Sequence, residues 1–146
     1  MSTKVTQTLI TTSEEETRAI GISLAKSLKP GDVISLEGDL GTGKTAFTKG
    51  IAAGLGIPED IVSPTFTLVN TYTSHITLHH FDVYRIDDPD ELLDIGWDEY
   101  LSPDAVCIVE WGDRIPHMMP PGFIRVTLSR TGNAPDERKI VIERKA

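Results

Sequence analysis

The chain has 146 residues, of which 39% are hydrophobic and 25% are charged, and its formal net charge is −8. This length and composition predict one globular domain over residues 1–146, and they exclude a disordered chain. No apolar run approaches the ~20 residues of a membrane-spanning helix, and the polar first residues lack the apolar segment of a signal peptide. A single cysteine, Cys107, excludes an internal disulfide. We therefore expect a cytoplasmic protein that has no contact with a membrane.

The acidic residues are concentrated in one segment. Residues 82–113 contain eleven acidic residues and one basic residue, Arg85. Direct, strong nucleic-acid binding is not expected, because phosphate contacts need clustered Lys and Arg. The acidic segment has two open interpretations: solvated helix faces and loops, or a docking surface for a basic partner.

The first predicted elements are a strand and a helix. Residues 6–11 form a β-prone run. Ser13 then predicts a helix N-cap, with three glutamates in the first turn and Glu16 at the capping-box position. Apolar residues recur at three- and four-residue spacing up to Leu28, so one helix face should be buried before Pro30-Gly31 ends it.

The remaining elements alternate between strands and helices. Strands are predicted at residues 33–37, 65–72, 76–85, 105–109, 123–128 and 139–143, and helices at residues 44–55, 90–95 and 97–101. The uninterrupted apolar run 105–109 is typical of a central strand covered on both faces, and Cys107 and Trp97 are expected in the core. The last two strands predict a C-terminal β-hairpin. Together these elements predict an α/β fold with a mixed β-sheet and a few helices.

A glycine-rich segment between the strand at 33–37 and the next helix carries the clearest motif. Gly38-Asp-Leu-Gly-Thr-Gly-Lys44-Thr45 matches G-x-x-x-x-G-K-[ST], here called the phosphate loop. Its glycines let consecutive N–H groups point at phosphate oxygens, and the helix N-terminus faces the same anion. Lys44 can reach the β- and γ-phosphates, and the Thr45 hydroxyl can bind Mg²⁺. The motif predicts a P-loop NTPase-like, nucleotide-binding domain. The candidate nucleotide-binding residues are Gly38, Asp39, Leu40, Gly41, Thr42, Gly43, Lys44, Thr45 and Ala46.

The same residues also fit a weaker pattern. Gly41, Gly43 and Ala46 match the dinucleotide fingerprint G-x-G-x-x-A. That site needs an acidic residue at the end of a second strand about 20 residues further on. The segment Ile61-Val62-Ser63-Pro64 has none, which disfavours a dinucleotide site.

Two acidic residues at predicted strand ends are candidates for the metal. Glu110 follows the apolar run and Asp82 follows the strand with His79 and His80, so one can hold Mg²⁺ while the other orients the attacking water. The plainer interpretation of each is a surface acid at a strand terminus. Thr65 stands where a switch loop would contact the γ-phosphate, or it simply begins a strand. Adjacent histidines in a strand point to opposite faces, which disfavours a zinc site.

Five blocks together resemble the TsaE family, over roughly residues 31–115. They are Gly38-Asp-Leu-Gly-Thr-Gly-Lys-Thr45, Ser63-Pro-Thr-Phe-Thr-Leu68, His80-Phe-Asp-Val-Tyr-Arg85, Gly96-Trp-Asp-Glu-Tyr100 and Cys107-Ile-Val-Glu-Trp111. The resemblance implies a small ATPase, with ATP and Mg²⁺, that is needed to make threonylcarbamoyladenosine in tRNA. It implies as partners TsaD and TsaB, which transfer the threonylcarbamoyl group and which ATP hydrolysis resets.

The resemblance also implies roles for particular residues. The family's lysine falls on Lys44 and its magnesium ligands on Thr45, Glu110 and Asp82, whereas its switch threonine falls on Thr65. The N-terminal turn near Ser13 and Glu14 and the C-terminal strands look similar to the parts that frame the adenine, which makes Glu14 a candidate contact to the nucleotide. Trp111, next to Glu110, is left between core packing and a nucleotide- or partner-facing role.

Three other functions use the same loop. A small-molecule kinase needs basic lid residues, but between Lys49 and Arg114 the one basic residue is Arg85. A nucleotide-gated binding module would bind ATP without hydrolysing it. A GTPase is disfavoured, because Asp-x-x-Gly and Asn-Lys-x-Asp are absent from the sequence. Arg85 and Arg114 are candidates for a catalytic arginine, although exposed salt bridging is the favoured interpretation of each.

Overall fold

The computed structural model describes residues 4–64 and 68–145. Within these ranges one sheet holds β1 (Lys4–Thr11), β2 (Val33–Glu37), β3 (Val69–Thr73), β4 (Thr77–Asp82), β5 (Ala105–Glu110), β6 (Ile124–Arg130) and β7 (Arg138–Lys145). The helices are α1 (Glu14–Ala25), α2 (Lys44–Gly54), α3 (Asp90–Asp94) and α4 (Trp97–Tyr100). Two 3₁₀ turns, Gly112–Arg114 and Pro116–Met118, follow β5. None of the helices in the described ranges is long and apolar enough to cross a membrane.

The sheet is mixed, and its strand order is β1-β7-β6-β2-β5-β4-β3. β4, β5, β2 and β6 run parallel, while β3, β7 and β1 add antiparallel pairs. β5 lies between β2 and β4 with every residue buried, which confirms the predicted central strand. The β6–β7 hairpin, here called the terminal hairpin, is confirmed as well. The carboxyl ends of β2, β4 and β5 meet at one edge, where α/β sheets usually bind ligands.

Alternate residues of β5 enter two apolar clusters on opposite faces of the sheet. Val106 and Ile108 belong to the cluster that includes residues of α1 and α2, whereas Cys107 and Val109 belong to the cluster around Trp97. Burial raises the pKa of the Cys107 thiol to about 12. The predictions that Cys107 and Trp97 lie in the core are therefore confirmed.

The start of α1 follows the predicted cap with one change. The Ser13 hydroxyl accepts a hydrogen bond from the Glu16 N–H at 3.1 Å, as expected of an N-cap. The Glu16 carboxylate, however, accepts from the N–H of Thr12 at 2.7 Å and from the Thr12 hydroxyl at 3.0 Å. The return bond therefore reaches one residue further back than in a standard capping box.

One predicted strand boundary is wrong, and another falls on residues outside the described ranges. The strand predicted at residues 76–85 ends at Asp82, because the Asp82 carboxylate accepts a hydrogen bond from the Tyr84 N–H at 2.9 Å and turns the chain. The strand predicted at residues 65–72 is observed as β3, while residues 65–67, including Thr65, lie outside the described residues. The 3₁₀ turns after β5 had no predicted counterpart.

Helices α1 and α2 pack closely through glycines. A Cβ at Gly21 would lie 2.5 Å from the Phe47 carbonyl oxygen, and one at Gly50 would lie 2.1 Å from the Arg18 carbonyl oxygen. Because both obstacles are backbone atoms, no side-chain rotation relieves the overlap. This close approach fixes α2, and hence the phosphate loop that precedes it, against α1.

We expect Gly50→Ala to lower the free energy of unfolding by about 2 kcal/mol, because the methyl group overpacks the helix contact. Helix propensity alone would raise it by about 1 kcal/mol. Urea unfolding shows whether the free energy of unfolding falls, as overpacking predicts, or rises, as helix propensity predicts. Ala53→Gly, at an exposed position of the same helix, is the control and should cost about 1 kcal/mol by propensity alone. A stabilised Gly50→Ala protein would contradict the packing described above.

Candidate functional site

The phosphate loop curls between β2 and α2 through three glycines with positive φ. These are Gly38 at φ 140°, Gly41 at 75° and Gly43 at 105°. A Cβ at Gly38 would also lie 2.3 Å from the Leu128 carbonyl oxygen of β6. Side chains at these positions would strain the backbone, so the spacing of the glycines follows from the path of the loop.

A cleft of about 400 Å³ lies over this loop. Its lining contains residues of the loop and the start of α2, together with residues from five other parts of the chain: Ser13, Glu14, Thr17, Leu40, Gly41, Thr42, Gly43, Lys44, Thr45, Ala46, Ser63, Asp82, Glu110, Trp111, Asp136 and Arg138. The structure thus brings together most of the candidate residues, including Glu14. Gly38 and Asp39 are not among the lining residues, but their carbonyls accept hydrogen bonds from Lys44.

Lys44 is buried at the base of the cleft, with 6% of its surface exposed. Its Nζ donates hydrogen bonds to the carbonyls of Gly38 and Asp39, the latter at 2.9 Å, and lies 3.8 Å from the centroid of the Trp111 ring. Burial lowers the pKa of Lys44, while the neighbouring carboxylates of Glu110 and Asp82 oppose that effect. Trp111 therefore both lines the cleft and packs on the loop lysine.

Asp82 and Glu110 lie opposite each other at the ends of the parallel strands β4 and β5. Burial raises the pKa of Asp82, the Tyr84 N–H bond lowers it, and the nearby Glu110 raises it again. Both carboxylates line the cleft with Lys44. The two strand-end acids predicted from the sequence therefore share one site.

His80 is a functional candidate that sequence reasoning missed. Its Nε2 lies 2.6 Å from Oε2 of Glu110, and both side chains are almost fully buried. Its Nδ1 has no hydrogen-bond partner within the described ranges. Because a carboxylate only accepts hydrogen bonds, an N–H at Nε2 that donates to Glu110 fits this contact. The sequence did contain a signal for His80, because His80 precedes Asp82 by two residues and therefore lies on the same face of the strand. From the sequence, however, His80 was considered only as a possible metal ligand.

Thr17, Asp136 and Arg138 also line the cleft, and none of them was predicted by residue, although the resemblance linked the C-terminal strands to the adenine. Thr17 lies on α1, where its spacing indicated only a buried helix face, and the other two come from the terminal hairpin. No motif marks them. Conversely, Arg114 packs its guanidinium on the ring of Tyr84 at 4.7 Å, and neither it nor Arg85 lines this cleft.

The residues present fit a magnesium–nucleotide ligand. Magnesium takes oxygen ligands, usually from one or two carboxylates together with substrate phosphates. The Thr45 hydroxyl and the carboxylates of Asp82 and Glu110 supply such oxygens. Each carboxylate has one oxygen in a bond to protein, with Tyr84 or His80, and its other oxygen makes no hydrogen bond to any residue in the described ranges. The positive-φ glycines provide the backbone concavity that phosphate oxygens require.

We expect Asp82→Asn to stabilise the protein at about pH 8, and the gain to shrink toward about pH 4. Because burial raises the pKa of Asp82, its charged form costs folding free energy above that pKa. The cost disappears below the ordinary pKa of an aspartate. Urea unfolding at several pH values measures the difference, and Asp113→Asn, at an exposed position, is the control. A less stable Asp82→Asn variant at high pH would contradict this assignment.

The fold and the cleft define a P-loop NTPase-like α/β domain. The family model for "Threonylcarbamoyl adenosine biosynthesis protein TsaE" matches residues 11–140, and the chain belongs to this TsaE family. Relatives named tRNA threonylcarbamoyladenosine biosynthesis protein TsaE include one from Bacillus subtilis, 47% identical over 131 residues, covering 89% of this chain and 80% of the relative. Another, from Treponema pallidum, is 40% identical over 119 residues, covering 82% of this chain and 88% of the relative.

A solved structure agrees with these sequence matches. The crystal structure of Bacillus subtilis YdiB superimposes with a TM-score of 0.79 at 39% identity, over 100% of this chain and 88% of that one. The fold class predicted from the sequence is thereby confirmed, as is the resemblance to the TsaE family.

Proposed function

We propose that this chain is a cytoplasmic, Mg²⁺-dependent ATPase required for threonylcarbamoyladenosine modification of tRNA. In this proposal it binds and resets a TsaD–TsaB complex and does not act on the tRNA directly. The relatives' names support the pathway. The observation that carries the ATPase assignment is the convergence of Lys44, Asp82 and Glu110 on the cleft over the phosphate loop.

In this proposal, the phosphate loop and the groups around it have separate roles in phosphoryl transfer. The loop N–H groups and Lys44 neutralise charge on the β- and γ-phosphates, for which Lys44 exchanges the carbonyls of Gly38 and Asp39 for phosphate oxygens. Thr45, Asp82 and Glu110 would hold Mg²⁺ and the attacking water. When bound, the metal ion neutralises phosphate charge. Thr65 remains the candidate for the switch contact, and Glu14 and Trp111 for contacts to the nucleotide.

The charge distribution favours a protein partner over tRNA. The net charge is −8, so the chain has little means to neutralise a nucleic-acid backbone. Hydrolysis that releases a loop at the γ-phosphate would then change the affinity for TsaD and TsaB.

Phosphate release from Mg·ATP, measured for the chain alone and with a TsaD–TsaB pair, tests the proposal. We expect the pair to stimulate release by about tenfold or more. The same assay with Lys44→Ala controls for contaminating ATPases. ATP binding without stimulated release would contradict the proposal, and so would transfer of the phosphate to a metabolite.

A further inference from the structure

We infer that Arg130 and Arg138 of the terminal hairpin are positioning residues for nucleotide binding, which act by holding the phosphate loop in shape. The inference rests on the proposed function, because it assigns the two arginines to the nucleotide site. It gives two particular residues a role in the C-terminal strands, which the family resemblance linked to the adenine without assigning single residues.

The two guanidinium groups bind consecutive carbonyls of the loop. Arg130 Nη2 donates to the Leu40 carbonyl at 3.0 Å. Arg138 Nη2 donates to the Gly41 carbonyl at 3.3 Å. A Cβ at Gly41 would lie 2.6 Å from Arg130 Nη2, so the glycine also gives this arginine room to approach. The hairpin therefore holds the peptides on either side of Gly41, where the glycine gives the backbone conformational freedom.

The hairpin loop presents Arg138 in a fixed orientation. Arg138 Nη1 donates to the Pro135 carbonyl at 2.7 Å and to the Glu137 carbonyl at 3.1 Å. The Glu137 carboxylate in turn accepts from Asn133 Nδ2 at 2.9 Å and from the Thr131 hydroxyl. This network orders the hairpin loop, so Arg138 reaches the phosphate loop from a rigid support.

Holding these carbonyls orients the neighbouring N–H groups. In a trans peptide the C=O of one residue and the N–H of the next point in opposite directions. With the Leu40 carbonyl held by Arg130, the Gly41 N–H points away from Arg130. With the Gly41 carbonyl held by Arg138, the Thr42 N–H points away from Arg138. Glycine permits these peptides to rotate, so the arginines pre-organise the N–H groups that bind phosphate.

The test compares Arg130→Met and Arg138→Met with Arg144→Met. Arg144 lies on the same hairpin but donates to the Ser27 hydroxyl at 2.7 Å, away from the loop. Calorimetry with Mg·ATP should show Kd raised about tenfold in each of the first two variants and unchanged in the third. At saturating ATP and with the TsaD–TsaB pair, kcat should stay within about twofold, because the inference places both guanidinium groups on loop carbonyls and not on the transferred phosphate. Arg130→Lys and Arg138→Lys keep a donor and should recover most of the affinity.

Three results would overturn the inference. The first is an unchanged Kd in both methionine variants. The second is an affinity loss that disappears at about 0.5 M salt, which would indicate long-range charge instead of a held loop. The third is a loss mainly in kcat, which would indicate direct contact with the reacting phosphate. A wild-type chain that binds no Mg·ATP would instead contradict the proposed function, and the inference with it.

Discussion

Glu110→Gln is expected to bind Mg·ATP with nearly unchanged affinity and to hydrolyse it about 100-fold more slowly or worse. Glutamine has almost the same shape, so the end of β5 should keep its backbone. Its side-chain oxygen can still accept the hydrogen bond that His80 Nε2 gives to Glu110 Oε2 at 2.6 Å. In the proposed function, the variant loses the negative charge that would hold the metal ion and orient the attacking water.

Calorimetry and partner-stimulated phosphate release separate the two effects. Glu37→Gln is the matched control, because Glu37 ends the adjacent strand β2 but pairs with Arg125 at 3.0 Å and does not line the cleft. We expect the control to keep its rate. If Glu110→Gln hydrolysed ATP at the wild-type rate, Glu110 would have no role in hydrolysis. If the variant lost ATP binding, the charge of Glu110 would be needed for binding and not for the chemical step.

Sequence reasoning succeeded where the signal is local. The phosphate loop, the Ser13 cap and the buried run that ends in Glu110 each depend on residues within a few positions of one another. Even the meeting of Asp82 and Glu110 could be anticipated, because both follow strands whose carboxyl ends share an edge.

The contacts that sequence reasoning missed depend on strand order. Arg130 reaches Leu40 because β6 pairs directly with β2, although the two residues are far apart in sequence. The hairpin pattern predicts that β6 and β7 pair with each other, but it contains no information on which strand they adjoin. The His80–Glu110 bond is similar, since it needs β4 beside β5 in a particular register.

The turn after β5 was missed for a different reason. Trp111 has a φ of 67°, a left-handed conformation that a bulky residue rarely adopts. Local propensity therefore argues against the observed backbone. The Trp111 side chain packs against Lys44 at 3.8 Å and against Tyr84 at 4.7 Å, and these tertiary contacts hold it there.

Lys44→Met is expected to weaken Mg·ATP binding by about 100-fold or more without lowering stability. Two charge-assisted hydrogen bonds to phosphate oxygens are worth about 3 kcal/mol or more together, and about 1.4 kcal/mol is tenfold in affinity. Methionine keeps much of the buried stem, and it removes an ammonium group whose pKa is lowered by burial. Because a lowered lysine pKa means that the charged form costs folding free energy, its removal should not destabilise the fold at neutral pH.

Thermal unfolding and calorimetry on the same preparation test both parts of this expectation. Lys49→Met is the matched control: Lys49 lies on the same helix, is half-buried and does not line the cleft, so its loss should leave ATP affinity unchanged. If Lys44→Met kept wild-type affinity and turnover, the cleft would not be a phosphate site. If it lost affinity only by unfolding, the bonds from Lys44 to Gly38 and Asp39 would be structural. The expected combination, lost binding in a fold at least as stable, would show that the buried charge serves the nucleotide at a cost to folding.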